Sequence, residues 1–164
     1  MHSSHWRRRQ ALRLLALGAA TPWAWASQAA QPLDKGRPVA MTLWKGPQCG
    51  CCDDWMAHMK QNGFAMAAVH ATGNNAARAR LGLPARYGSC HTALIGGYVI
   101  EGHVPAADVQ RLLREKPQAL GLAVPGMPVG SPGMDGPAYG GRVDAYDTLL
   151  VLHDGSSRVF QAHR

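Results

Sequence analysis

Apolar positions along this chain recur with two periods, broken by stretches rich in glycine and proline. Val39 to Trp44 is a short apolar run of β-formers that stops at Lys45-Gly46-Pro47, the pattern of a buried strand running into a tight loop. From Cys52 to Gln61, Trp55, Met56 and Met59 recur at helical spacing. Asp53 and Asp54 stand in the first turn, where they favour the helix dipole, and Asn62-Gly63 is a stop signal. Phe64 to Val69 reads as a second strand and Asn74 to Leu81 as a short Ala/Arg helix ended by Gly82 and Pro84. Thr92 to Ile95 and Tyr98 to Ile100 form a predicted hairpin across Gly96-Gly97, followed by an amphipathic helix over Pro105 to Lys116.

Strand, helix, strand, hairpin, helix is the order of a thioredoxin-like α/β domain in two or three layers, whose first βα loop carries the reactive groups. Beyond it, Gly121 to Gly141 holds seven glycines and four prolines around Met127 and Met134, which predicts an irregular loop. Val143 to Phe160 closes the pattern, with Thr148 to His153 and Ser157 to Phe160 flanking Asp154-Gly155 as a terminal hairpin. Ser27 to Pro38 is poor in apolar residues and reads as a flexible lead-in, so the domain is expected over residues 39–164.

Residues 1–26 follow different rules. Arg7, Arg8 and Arg9 precede an apolar run from Ala11 to Ala20 interrupted by Arg13, and Ala24-Trp25-Ala26 offers a small-x-small cleavage pattern, together a signal peptide cut after Ala26. The run is about ten residues, short of the roughly 20 that span a bilayer, which argues against a permanent membrane anchor. Arg8-Arg9-Gln10-Ala11-Leu12-Arg13 resembles a twin-arginine signal with Ala11 where Phe is preferred, so both export routes stay open. Either route is expected to end outside the cytoplasm.

Charge changes the picture once that segment is set aside. The net charge of +7 comes from 17 basic and 10 acidic residues; without the four arginines of the first 26 residues, 13 basic residues face 10 acidic ones, a net +3. With no basic run left, neither nucleic acid nor anionic lipid is an expected partner.

Four cysteines in an exported chain would ordinarily form two disulfides. Three of them fall within Cys49-Gly50-Cys51-Cys52, and the adjacent Cys51 and Cys52 hold their Cα atoms only about 3.8 Å apart, below the usual disulfide span. At a helix N-terminus these sulfurs gain thiolate character, the form that binds metal or attacks disulfides. Soft thiolates select copper(I), zinc or iron–sulfur centres, and the thioethers of Met127 and Met134 tilt the set toward copper(I).

Four blocks in order then carry a resemblance: Trp44 to Cys52, Ser89-Cys90-His91-Thr92-Ala93, Glu101 to Ala106, and Pro125 to Met134. Together, over roughly Val39 to Val151, they resemble CopG-type periplasmic copper-resistance proteins. The resemblance implies a thioredoxin-like fold and a copper(I) site, which can be multinuclear, with Cys49, Cys51, Cys52 and Cys90 as ligands; Met127 and Met134 are second-tier ligands on thioether chemistry alone, with shielding of apolar surface as the equal alternative. It also implies copper ions and other periplasmic copper-handling proteins as partners. Where thioredoxin has a cis-proline, this chain has Cys90-His91-Thr92, so a ligand stands in place of a substrate clamp.

Other readings stay open beside it. Cys49 and Cys52 have the spacing of a thiol–disulfide oxidoreductase, Cys49 as nucleophile and Cys52 as resolving thiol, and four cysteines also suit a structural zinc site. Met41, Met56, Met59 and Met66 read as core residues. His91, next to Cys90 on a predicted strand, should face the other way; His58, two turns along the helix from Cys51, reads as solvated, and His103 as a helix cap.

Overall fold

The computed structural model describes residues 36–164; residues 1–26, read above as a signal peptide, and most of the stretch read as a lead-in lie outside the described residues. The architecture of the described residues is mixed α/β: three α-helices and one seven-stranded sheet in the order β2-β1-β3-β4-β5-β6-β7. β1 (Val39–Lys45) leads through a loop into α1 (Gly50–Gln61) and returns as β2 (Phe64–His70), parallel to β1. After α2 (Asn75–Arg80), β3 (His91–Ile95) pairs antiparallel with β1 and turns into β4 (Tyr98–Glu101). α3 (Ala106–Glu115) then crosses to β5 (Gly121–Ala123), parallel to β4, and β6 (Tyr146–Val151) and β7 (Ser157–His163) complete the sheet antiparallel.

Strand alternation divides the core between the two sheet faces. Ile100, Leu122 and Leu150 join Leu43, Ile95 and the helical residues Trp55, Met59, Val109 and Leu112 in the main cluster, which is where α1 and α3 pack. Their neighbours Val99, Ala123 and Val151 face the opposite side with Leu83 and Tyr87. In α1, the buried Cys52, Trp55 and Met59 stand three and four residues apart on one stripe, and Trp55 Nε1 donates to the Val104 carbonyl at 2.9 Å. The stripe that fills the core therefore begins at a cysteine.

Two expectations are corrected. Gly121 to Ala123, read as the start of an irregular loop, is a strand in the middle of the sheet. Three residues are too few to express a period, and Gly121 is there for clearance: a Cβ on it would lie 1.8 Å from the Val99 carbonyl oxygen. The terminal hairpin begins earlier and ends later than read, and it extends the main sheet through the pairing of β5 with β6. Among the described residues no helix is long and apolar enough to cross a membrane.

Replacing Gly121 with alanine should force β4 and β5 apart and lower stability by about 1 to 3 kcal/mol, the usual cost of overpacking. A urea midpoint equal to that of the unaltered protein would show that the sheet absorbs the methyl group.

Candidate metal centre

α1 starts two residues earlier than its hydrophobic spacing suggests, with Cys49 as its N-cap residue, so Cys51 and Cys52 lie in its first turn. Lys45 fixes the loop below: its ammonium reaches the Cys49 carbonyl at 3.4 Å and the Asp53 carboxylate at 3.0 Å. Cys90 arrives from the other side, immediately before β3. Its Sγ lies 3.6 Å from Cys52 Sγ and 3.9 Å from Cys51 Sγ, and Cys49 and Cys51 are 3.5 Å apart. All four sulfurs fall within 4.8 Å of one another.

Cys49 and Cys52 are joined as a disulfide, and Cys51 and Cys90 are free. The argument from crowding applies to the adjacent Cys51 and Cys52; across the helix's first turn, Cys49 and Cys52 stand 5.3 Å apart at Cα, inside the disulfide span. The four sulfurs therefore form a complete thiolate set only after that bond is reduced. Burial, and then the neighbouring Cys51, push the Cys90 thiol up to about 12, so in the metal-free centre it holds its proton at neutral pH.

Two histidines that the sequence reading set aside complete the surroundings. His103, between β4 and α3, is fully buried, with Nε2 3.0 Å from Cys90 Sγ and Nδ1 2.8 Å from the Pro132 carbonyl. A carbonyl only accepts, so Nδ1 carries the proton and the Nε2 lone pair faces the sulfur. His91 Nδ1 is 3.4 Å from the same sulfur. Strand alternation does not turn His91 away, because Cys90 precedes β3 and His91 is its first residue. The capping role expected of His103 belongs instead to His58, whose Nε2 accepts from Ala106 N at 3.1 Å at the start of α3. Burial holds His58, His91 and His103 below the ordinary imidazole range, His91 down to about 3. The signal for His103 was its place in the Glu101 to Ala106 block; its distance in sequence from the cysteines hid its role.

A buried charge network places Cys90. Glu101, fully buried on β4, accepts from Arg78 Nε at 2.9 Å, Ser89 N at 2.7 Å and Thr92 Oγ1 at 2.6 Å. Arg78 and Asn74 donate in turn to the Ser89 carbonyl at 2.8 and 3.1 Å. Both backbone polar groups of the residue before Cys90 are thus held by side chains from α2, its N-cap and β4. The glycine-rich loop closes the far side: Gly126 N donates to the Gly88 carbonyl, and a Cβ on Gly133 would meet Cys51 O at 2.6 Å and Trp55 N at 2.8 Å. Gly133, with φ of +86°, lets that loop lie directly on the tip of α1. Its methionines sit differently from each other: Met127 is 52% exposed, and Met134 is buried with its sulfur accepting from the Tyr139 hydroxyl at 3.2 Å. A groove of about 490 Å³, bordered by Trp44, Thr72, Asn75 and Arg80, reaches Cys90 from the α2 side.

Two outcomes follow from this geometry. Glu101→Gln leaves the Arg78 guanidinium buried without its counter-charge and should cost about 3 to 5 kcal/mol in urea unfolding; a loss under 1 kcal/mol would show that the network is not holding the segment. Below the ordinary histidine value of about 6.5, the unfolded chain takes up protons that the buried His91 and His103 and the half-buried His58 refuse, so stability is full above that pH and falls as pH drops. The urea midpoint should accordingly be lower at pH 5 than at pH 7, and an equal or higher midpoint at pH 5 would contradict the burial argument.

Residues 87–134, the segment holding Cys90, His91 and His103, match a family described as protein of unknown function, DUF411. No curated protein matches the chain. A solved structure described as copper resistance protein CopG, form 2, is 43% identical, with a TM-score of 0.71 over 78% of this chain and 100% of the other. Form 1 of the same description is 44% identical, with a TM-score of 0.70 over 77% of this chain and 98% of the other. With that identity sustained over whole relatives, and with the cysteine cluster in place, the chain belongs to the CopG-type copper-resistance family.

Proposed function

We propose that this protein binds copper(I) as an exported, periplasmic copper-resistance protein, with Cys49, Cys51, Cys52 and Cys90 as thiolate ligands once the Cys49–Cys52 disulfide is reduced. The observation that carries this reading is the convergence of four sulfurs within 4.8 Å, one of them brought from 38 residues beyond Cys52. The donor set is all sulfur, which suits a soft monovalent ion, and closely spaced thiolates can bridge more than one copper. The groove beside Cys90 gives an ion a path to the sulfur. Family membership supports the same cargo, since both similar structures are described as copper-resistance proteins.

The finer fold assignment, a thioredoxin-like domain over residues 39–164, belongs to this proposal. Its support is the parallel β1–α1–β2 unit with cysteines at the helix tip and the antiparallel β3–β4 pair beside it. Export rests on the arginine-led apolar segment and its cleavage pattern. Met127 and Met134 enter as weaker ligands on the chemistry of thioether sulfur alone.

A second reading draws on the disulfide itself. Once reduced, a Cys49 thiolate would attack a substrate disulfide, and Cys52 would resolve the mixed disulfide, so that the Cys49–Cys52 bond re-forms as the substrate leaves as a dithiol. Insulin reduction that survives Cys90→Ser would favour an oxidoreductase using Cys49 and Cys52 alone.

Copper(I) titration of the reduced protein against a competing chelator tests the main reading. Cys90→Ser, Cys51→Ser, Cys49→Ser and Cys52→Ser should each weaken binding at least tenfold, about 1.4 kcal/mol. Because Cys90 holds a proton that the metal must displace, binding should release protons and tighten as pH rises. Affinity that is flat from pH 5 to pH 8, or indifferent to all four substitutions, would rule out thiolate ligation.

A further inference from the structure

The groove that reaches Cys90 from the α2 side is lined unlike an entry for a bare cation. It encloses about 490 Å³ between the end of β1, with Trp44 and Gly46, and the approach to α2, with Thr72, Gly73, Asn75 and Arg80. That volume lies within the roughly 300–1,000 Å³ of sites that enclose a small organic ligand. No carboxylate lines it, and Arg80 is its one charged residue. Cys90 stands on the same lining, so the groove joins a guanidinium to a sulfur.

That guanidinium is held in place and is unspent. Arg80 lies over the Trp44 ring, 5.3 Å from its centroid, and Trp44 is braced in turn by His70, stacked on it at 5.4 Å. The neighbouring cations Lys45 and Arg78 are paired with Asp53 and Glu101, whereas Arg80 is in no ion pair among the described residues. Asn75 Oδ1 already accepts from Arg78 Nη1, which leaves the Asn75 amide N–H groups as donors. A bare copper ion would therefore meet a positive charge and no counter-charge on its way to Cys90, while an anionic complex is drawn in. Copper(I) prefers soft sulfur, so an anionic complex that suits both parts of the groove is one with a thiol that also carries a carboxylate.

We propose that this groove is a docking site for copper(I) carried by a carboxylate-bearing thiol, with the carboxylate on Arg80 and the sulfur-held ion presented to Cys90. Delivery is a ligand exchange. The bond from copper to Cys90 Sγ forms, the bond to the carrier sulfur breaks, and the Cys90 proton passes to the leaving thiolate. Copper stays copper(I) throughout, so no oxidant or reductant takes part. This rests on the copper(I) reading and adds the form in which the ion arrives; the preference of the groove for a carboxylate needs no metal.

The test compares reduced glutathione, a thiol with two carboxylates, with its diethyl ester, in which both are blocked, on the reduced, metal-free protein without oxygen. Amide chemical shifts at Thr72, Gly73 and Asn75 should move saturably with the acid and require at least tenfold more of the ester. Arg80→Gln should erase that difference, and Arg80→Lys should restore part of it. Arg80 is exposed, so these variants should keep the urea midpoint of the unaltered protein. In stopped-flow mixing, Arg80→Gln should slow copper(I) uptake from its glutathione complex at least fivefold and leave uptake from its 2-mercaptoethanol complex unchanged. Equal affinity for acid and ester, or an Arg80→Gln protein that binds glutathione and takes its copper as the unaltered protein does, overturns the proposal. Equilibrium copper(I) affinity against a chelator separates the two readings. Tight binding without a carboxylate preference removes this inference alone, and absence of tight binding removes the copper reading and this inference with it.

Discussion

A single buried carboxylate holds the centre in register. Glu101 is fully enclosed, and its charge is met by Arg78, the Ser89 N–H and the Thr92 hydroxyl, while Arg78 also reaches the Ser89 carbonyl. Burial pushes the Glu101 carboxyl up, and those three donors pull against it. Such an ion pair adds little net stability compared with well-packed apolar residues, but it is costly to half-remove, and that asymmetry gives it positional force. The segment it immobilises ends at Cys90, whose sulfur lies 3.9 Å from Cys51, 3.6 Å from Cys52, 3.4 Å from His91 and 3.0 Å from His103.

Much of the fold was legible because most elements are long enough to display a period. The stripe of Cys52, Trp55 and Met59, the run from Val39 and the hairpin at Gly96-Gly97 each carry their own signal. β5 was not legible: its three residues owe their conformation to pairing with β4 and β6, a long-range cause with no local trace. Beyond β5 the glycine-rich segment is the irregular loop that its composition predicts, and contacts invisible in the sequence pin it at Gly126, Pro132 and Gly133.

The centre divides the same way. Three cysteines at a helix tip announce themselves, and the family resemblance supplied Cys90. The histidines were misjudged by local rules applied one residue out of place. Alternation would have turned His91 away had Cys90 been inside the strand, and the cap assigned to His103 is supplied by a side chain from another helix. What a residue touches across the fold outweighed what its neighbours suggested.

That contact from His58 gives α1 a double hold on the centre. The helix presents Cys49, Cys51 and Cys52 at its tip, and two turns later His58 secures Ala106, three residues past His103. The cysteine cluster and the segment that carries His103 are therefore both anchored to the same helix. A shift of that one helix would be felt on both the sulfur side and the imidazole side of the cluster.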